Sequence, residues 1–356
     1  MSQFDLFAEP PAAPQAPPER AKRRTSAVVR ACKPAATLIE LAARLPARLR
    51  LGTSSWSFPG WVGQVYADHY AEAALAHSGL AAYARHPLLR TVGVDRTFYA
   101  PLEAAEFALM AAAVPADFRF LVKAHAALTT PAEPWRRQQV TTPGPARFLD
   151  AAYAAEQVVA PVLEGLGERT GVILFQFPPL GPPYARSALR FADHLERFLD
   201  GLPALPVAAD GRGPRYAVEV RNREFIGPAY AAALGKHGVV HCLNVHPRMP
   251  GVTDQSRQLQ QGFEAVGHSV RPPLTLVRWM LHPTQEYGTA REAYAPFDQL
   301  VDPDPVSRAA VAAEVCAALG RDEEVIVIVN NKAEGSSPLT LQLLAEAVNA
   351  RLTPAV

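Results

Sequence analysis

The chain has 356 residues, with 35 lysines and arginines against 34 aspartates and glutamates, so no global field marks it as a nucleic-acid or membrane-surface binder. Three widely spaced cysteines, Cys32, Cys242 and Cys316, lie outside any CxxC or Cys/His cluster, which excludes a disulfide framework and argues against structural zinc. No stretch approaches the roughly 18 apolar residues of a membrane span, and the N-terminus lacks the order of a signal peptide, so a cytoplasmic protein without membrane partners is expected.

Residues 1–24 are rich in Pro, Ala and charge and read as disordered. The basic run from Arg20 to Arg24 within them reads as a solvated tail. A disordered arm over 1–30 and a single domain over 31–356 are expected. After a short helix at 36–44, eight apolar runs follow: 49–56, 91–98, 118–125, 171–177, 216–221, 239–245, 274–280 and 325–331. Each carries a polar or ionisable residue at or within two positions of its C-terminal end, and helix-like segments alternate with them, near 68–85, 102–113, 146–166, 186–200, 227–237, 255–266, 305–319 and 338–351. Ser337 and Pro338 predict the start of the last helix, as N-cap and first helical residue. Runs rich in β-branched residues are those of strands buried on both faces. Eight of them alternating with helices predict an α/β fold, a closed (β/α)8 TIM-type barrel with a disordered N-terminal arm. Its chemistry is expected at the C-terminal strand ends. Two connections at those ends, 126–145 and 282–304, exceed the usual few residues and are read as substrate loops.

Side chains alternate across a strand, so parity separates barrel-facing from helix-facing positions. In the fifth run Ala217, Glu219 and Arg221 share one parity, while Val218 and Val220 suit the helix layer. The same test selects Asp95 and Thr97, Lys123 and His125, Gln176, then Cys242, Asn244 and His246. It adds Arg278 with His282, and Asn330 or Asn331. Burying so many polar groups unpaired would cost a few kcal/mol each, so they must form a network, bind solvent or hold a ligand.

Six blocks, GTSSWSFPGW (52–61), TFYAP (97–101), FLVKAH (120–125), LFQFPP (174–179), AVEVRNREF (217–225) and VNNKAEGSSP (329–338), resemble the YecE-like family, also called domain of unknown function 72. The resemblance covers about 50–350, in the family's order. It implies a TIM-type barrel with a polar pocket at the C-terminal mouth, and no particular reaction. The family's recurrent positions match Trp56, Thr97, Phe98, Tyr99, Lys123, Gln176, Glu219, Arg221, Arg278, Asn330 and Asn331. Two departures stand out. Gly93 occupies a second-strand position that is usually acidic, and Asn222 follows Arg221 where the family usually has His.

Lys123, Arg221 and Arg278 outnumber the inward acids Glu219 and Asp95, which favours a ligand bearing phosphate or carboxylate. Glu219 is the first candidate for acid/base work. Lys123 is an alternative as a Schiff-base lysine, and His125 and His282 stand in reserve. Trp56, Tyr99, Gln176, Arg221, Asn244, Arg278, His282, Asn330 and Asn331 are the candidate substrate contacts, with the aromatic rings suited to stacking. The strand ends supply mainly amides and cations, so neither a metal nor another cofactor is expected. With Glu219 the one clearly placed carboxylate, a two-carboxylate glycosidase fits poorly. No P-loop or dinucleotide fingerprint occurs. The leading expectation is a metal-independent barrel enzyme (a hydrolase, lyase or isomerase) or a ligand-binding protein for a small anionic substrate.

A separate signal lies at the tip of the arm. Gln3-Phe4-Asp5-Leu6-Phe7 resembles the bacterial sliding-clamp-binding peptide, in which Leu and Phe fill an apolar pocket and Gln bonds its rim. That makes Gln3, Leu6 and Phe7 candidate partner contacts. The alternative function is a DNA-maintenance factor recruited to the clamp, its barrel binding or processing nucleic acid.

Overall fold

The computed structural model of the chain describes residues 28–131, 147–208, 212–267 and 272–353. The candidate partner contacts Gln3, Leu6 and Phe7 and most of the 126–145 connection lie outside these residues. Among the described residues the packed chain begins at Val29, which is buried. It lies two residues before the expected boundary, and Arg30 beside it pairs with Asp68 at 2.7 Å.

Eight parallel strands, β1 (Leu49–Thr53), β2 (Leu89–Val94), β3 (Arg119–Lys123), β4 (Thr170–Gln176), β5 (Arg215–Glu219), β6 (Val240–Val245), β7 (Leu274–Trp279) and β8 (Glu324–Val329), close into a barrel in sequence order. The ring is sealed by β1 against β8, with Leu49 opposite Val325 and Thr53 opposite Val329. The expected (β/α)8 barrel is the fold. Its apolar core is split by the sheet, as strand parity requires. Leu121, Val172, Leu174, Ala217, Cys242 and Ile328 belong to the cluster inside the barrel. Their neighbours Val122, Ile173, Phe175, Val218 and Val327 pack outward under the helices.

Where β1 meets β2 the register shifts between Leu51 and Gly52. A side chain at Gly52 would put its Cβ 1.9 Å from the Thr91 carbonyl oxygen, so the two backbones approach this closely only because residue 52 is glycine. Tyr83 secures the same pair from outside: its hydroxyl accepts from Thr53 N–H at 3.0 Å and donates to Thr91 O at 3.0 Å.

The helix expected at 68–85 is two shorter ones, Glu72–Ser78 and Leu80–Tyr83. The last helix spans Ser337–Leu352, and its N-cap is Ser336, one residue before the expected Ser337. The connection after β7 is not all loop. It contains the helix Tyr287–Tyr294, whose Ala290 and Tyr294 form a small satellite core with Leu281. Asp302 anchors this segment by accepting from Gln285 Nε2 and Tyr294 OH, each at 3.0 Å. None of the described helices is long and apolar enough to cross a membrane.

Candidate functional site

At the C-terminal mouth, β5 ends on Glu219, which is fully buried. One carboxylate oxygen pairs with Arg221 Nη2 and the other with Arg278 Nη1, from the end of β7. Cys242 Sγ, on β6, lies 3.7 Å from the same carboxylate. Burial by itself would raise the Glu219 pKa, but the two guanidiniums outweigh it and hold the group at about 2. Burial also pulls Arg278 down, yet Glu219 and Asp95 raise it above the ordinary arginine value. Glu219 and Arg278 are therefore both ionised at physiological pH.

Each arginine has a second restraint. Arg221 Nη1 donates to Asn244 Oδ1 at 3.1 Å. Asn244 is itself fixed through its backbone, its N–H donating to Gln255 Oε1 and its carbonyl accepting from Gln255 Nε2 at 2.7 Å. Arg278 Nη2 lies 3.6 Å from Asp95 Oδ1, at the end of β2. Four atoms here are buried without a hydrogen-bond partner: Arg221 Nε, Arg278 Nε, Asp95 Oδ1 and Glu219 Oε1, the last held by its ion pair alone.

Lys123, at the end of β3, places its ammonium 3.6 Å from the centroid of the Phe98 ring. Thr97 Oγ1 sits within hydrogen-bond distance of both the Val94 and Lys123 carbonyls, 2.7 and 2.6 Å away, and so ties the ends of β2 and β3 together. Among the described residues Lys123 Nζ has neither a hydrogen-bond acceptor nor an ion pair. Its surroundings desolvate it, lowering its pKa to about 8 against the pull of Asp95.

These groups border a cavity of about 160 Å3. Lys123, Arg221, Arg278, Asp95, Gln176 and Asn330 supply its polar wall, and Phe98, Tyr99 and Tyr287 its rings. His246 also lines it, and burial, aided by Arg221, lowers its pKa to about 3, so it is neutral at physiological pH. Of the residues singled out in the sequence, the structure thus gathers Lys123, Tyr99, Gln176, Arg221, Arg278 and Asn330 on one wall.

The others lie elsewhere. Glu219 is behind the arginines rather than on the cavity surface. Trp56 is in the outer core, its indole donating to Leu75 O at 3.1 Å. His125 Nδ1 meets Tyr153 OH at 2.8 Å, and His282 Nδ1 meets Thr284 Oγ1 at 2.8 Å. Asn331 Oδ1 accepts from Trp61 Nε1, Ser337 N and Ser337 Oγ, which makes it a cap for the last helix. Asn244 supports Arg221 from behind. Asp95 and His246, which parity selected without a role, do line the cavity. Tyr287 had no sequence signal, because its helix falls in a stretch read as loop.

Gly93 bears on the missing second-strand acid. A Cβ there would lie 3.1 Å from Ser54 O, so β2 runs tight against the segment after β1. The carboxylate on this side of β2 comes instead from Asp95, two residues on and of the same parity. A second buried lysine, Lys332, stands apart from the cavity wall. Its ammonium is 4.3 Å from the Tyr287 ring and 5.8 Å from that of Phe297, and burial lowers its pKa to about 8. Among the described residues no group of three or more His, Cys, Asp or Glu is placed to hold a metal ion.

A family model described as "Protein of unknown function DUF72" matches residues 50–355. A solved structure of a DUF72 family protein from Enterococcus faecalis V583 is 18% identical, with a TM-score of 0.54 over 86% of this chain and 99% of that one. Another, from Thermotoga maritima MSB8, is 17% identical, with a TM-score of 0.49 over 84% of this chain and 98% of that one. At such identity the first likeness is one of fold alone. None of the curated proteins matches.

Proposed function

Because the chain belongs to the DUF72 family, whose function is unknown, we propose an activity from its own geometry: the barrel mouth binds a small phosphate- or carboxylate-bearing metabolite and acts on it with Lys123 as the proton-transfer group. The observation that carries this reading is the wall of Lys123, Arg221 and Arg278, three cations on one small cavity with Asp95 the one carboxylate among the described residues that lines it. A cationic, partly dehydrated recess attracts an anion more strongly than solvent-exposed charges do. The unpartnered Nε atoms of Arg221 and Arg278 mark donors that the protein itself leaves unused.

The acid/base role moves from Glu219 to Lys123 on physical grounds. A carboxylate held at about pKa 2 by two guanidiniums and screened from the cavity is a poor proton carrier near neutrality. An amine at about 8 is well matched to that task. Glu219 serves as the fixed counter-charge that lets two arginines share one recess.

The test is thermal unfolding with added inorganic phosphate or acetate. At a hundredfold excess over Kd an anion that binds only the folded state adds about 2.7 kcal/mol, seen as a rise in Tm. Arg221→Met is expected to abolish that rise, and an undiminished rise would move the anion site elsewhere.

The QFDLF peptide supports a second, independent reading, recruitment to a sliding clamp. A peptide of residues 1–10 is then expected to bind purified clamp with a micromolar constant, or roughly −8 kcal/mol. Substituting Gln3, Leu6 and Phe7 by Ala should remove that binding, and failure of the native peptide to bind at high micromolar concentration ends this reading.

A further inference from the structure

We propose that Lys123 forms an imine with a small carbonyl compound carrying a carboxylate or a phosphate. The inference rests on the anion-site reading above and adds a substrate class and a covalent step to it. A nucleophilic amine needs a free lone pair, a fixed position and an anchor for the rest of its partner, and the mouth supplies all three.

The lone pair follows from how the carboxylates are shared. Glu219 would be the natural ion-pair partner for a lysine at this end of the barrel, but both of its oxygens are taken by Arg221 and Arg278. Asp95 faces Arg278 at 3.6 Å. Among the described residues Lys123 is left with the face of Phe98 at 3.6 Å, a contact that fixes the head of the side chain without accepting its protons in the way an oxygen would. Burial shifts its protonation equilibrium toward the neutral amine. The anchor is the pair of guanidiniums across the same cavity. The recess, about 160 Å3, has room for a short oxo acid or a short sugar phosphate.

The chemistry balances without any further reagent. The neutral amine attacks the carbonyl carbon, the π pair moves to oxygen, and a proton passes from the nitrogen to that oxygen to give the carbinolamine, which leaves a lone pair on nitrogen. A second proton on the hydroxyl lets it leave as water, while the nitrogen lone pair closes the C=N bond. Overall, the ammonium and the carbonyl give a protonated imine and one water. Asp95 is placed to relay these protons, since its side chain reaches the cavity and its field already acts on Lys123. The positive imine then lies near Asp95 and Glu219, the carboxylates whose fields already reach Lys123.

Lys332 provides the internal control. It is also buried against aromatic rings with a pKa of about 8, but it does not border the cavity, so it has no route to a ligand held by Arg221 and Arg278.

The experiment incubates the full chain with pyruvate or with dihydroxyacetone phosphate in the presence of sodium cyanoborohydride, which reduces imines but leaves carbonyls intact. Intact mass and peptide mapping then locate the adduct. One adduct on Lys123 is expected from at least one of the two, and which one traps decides between carboxylate and phosphate. Acetone, with no anionic group, should leave Lys123 unmodified. Lys123→Arg should abolish the adduct and Lys332→Arg retain it, while mapping on the unsubstituted protein makes the result independent of how either variant folds. Trapping by neither compound overturns the proposal, as does labelling of Lys332 or surface lysines to the same extent as Lys123. If no adduct forms but phosphate or acetate still raises Tm through Arg221, the imine is ruled out and the anion site stands. If the thermal shift is absent too, both go.

Discussion

The two ends of the barrel use the same residue types to opposite effect. At the N-terminal end, Arg50 Nη1 pairs with Glu324 at 2.8 Å and its Nε donates to Asp117 O at 3.3 Å. Arg90 pairs with Asp117 at 2.7 Å, and Arg119 donates to the carbonyls of Ala116 and Phe118. Each of these guanidiniums closes on an acid or a carbonyl of the protein. At the C-terminal end two guanidiniums share one carboxylate, two Nε atoms stay unpartnered and Lys123 rests on a ring. A charge satisfied by its own chain stabilises the fold, whereas one left partly unsatisfied is available to a ligand. The contrast between these guanidiniums supports the proposed site at the C-terminal end, where barrels of this class place their chemistry.

The sharpest way to break the comparison is to remove the central carboxylate at each end. Glu219→Gln leaves two buried guanidiniums facing a neutral amide and is expected to cost about 3–5 kcal/mol in denaturant unfolding. A variant with unchanged stability would show that the triad is not the enclosed unit described.

Lys123→Met is the next largest effect and has the opposite sign. With a folded pKa of about 8 against about 10.4 when unfolded, Lys123 binds fewer protons in the folded state between those values. Its penalty is therefore complete below pH 8 and fades as pH rises through 10. The variant should gain on the order of 1–2 kcal/mol at pH 7, and the gain should shrink across pH 8–10. A gap that stays constant over that range would mean the amine is not desolvated.

Glu324→Gln at the other end should cost least, about 1 kcal/mol, because its pair with Arg50 is partly hydrated and Arg50 keeps the Asp117 carbonyl. It should leave any anion-induced rise in Tm unaltered. A loss there equal to that of Glu219→Gln would erase the distinction between the ends.

Much of this site was legible because parity is rigid inside a strand. Ala217, Glu219 and Arg221 alternate with Val218 and Val220, and that is how the barrel sorts them. The rule resolves Asn330 from Asn331 as well, once Ile326 and Ile328 are known to point inward. It weakens past the strand end. Trp56 and His282 stand three residues beyond β1 and β7, and His125 two beyond β3, and all three turn to nearby partners. Arg221 is also two residues past its strand and keeps its direction because Glu219 holds it. Nor does parity tell a surface-lining carboxylate from an enclosed one: Glu219 shares the face of the site but is covered by the arginines it pairs with. Tyr287 was beyond reach, since its eight-residue helix is stabilised by the satellite core around Leu281 and Tyr294 rather than by an apolar pattern of its own.

The carboxylate of Glu219 also sets how the mouth meets a ligand. Arginine side chains on a surface sample many rotamers, and each loses that freedom when it grips an anion. Here Glu219, Asn244 and Asp95 hold Arg221 and Arg278 in one arrangement before anything binds. For the anionic ligand proposed above this is a rigid template, so association would order little protein, and selection would fall on molecules whose oxygens already match the spacing of the two guanidiniums. Calorimetry should then show binding with little entropic loss from the protein, and affinity that drops abruptly, not gradually, as the ligand is lengthened.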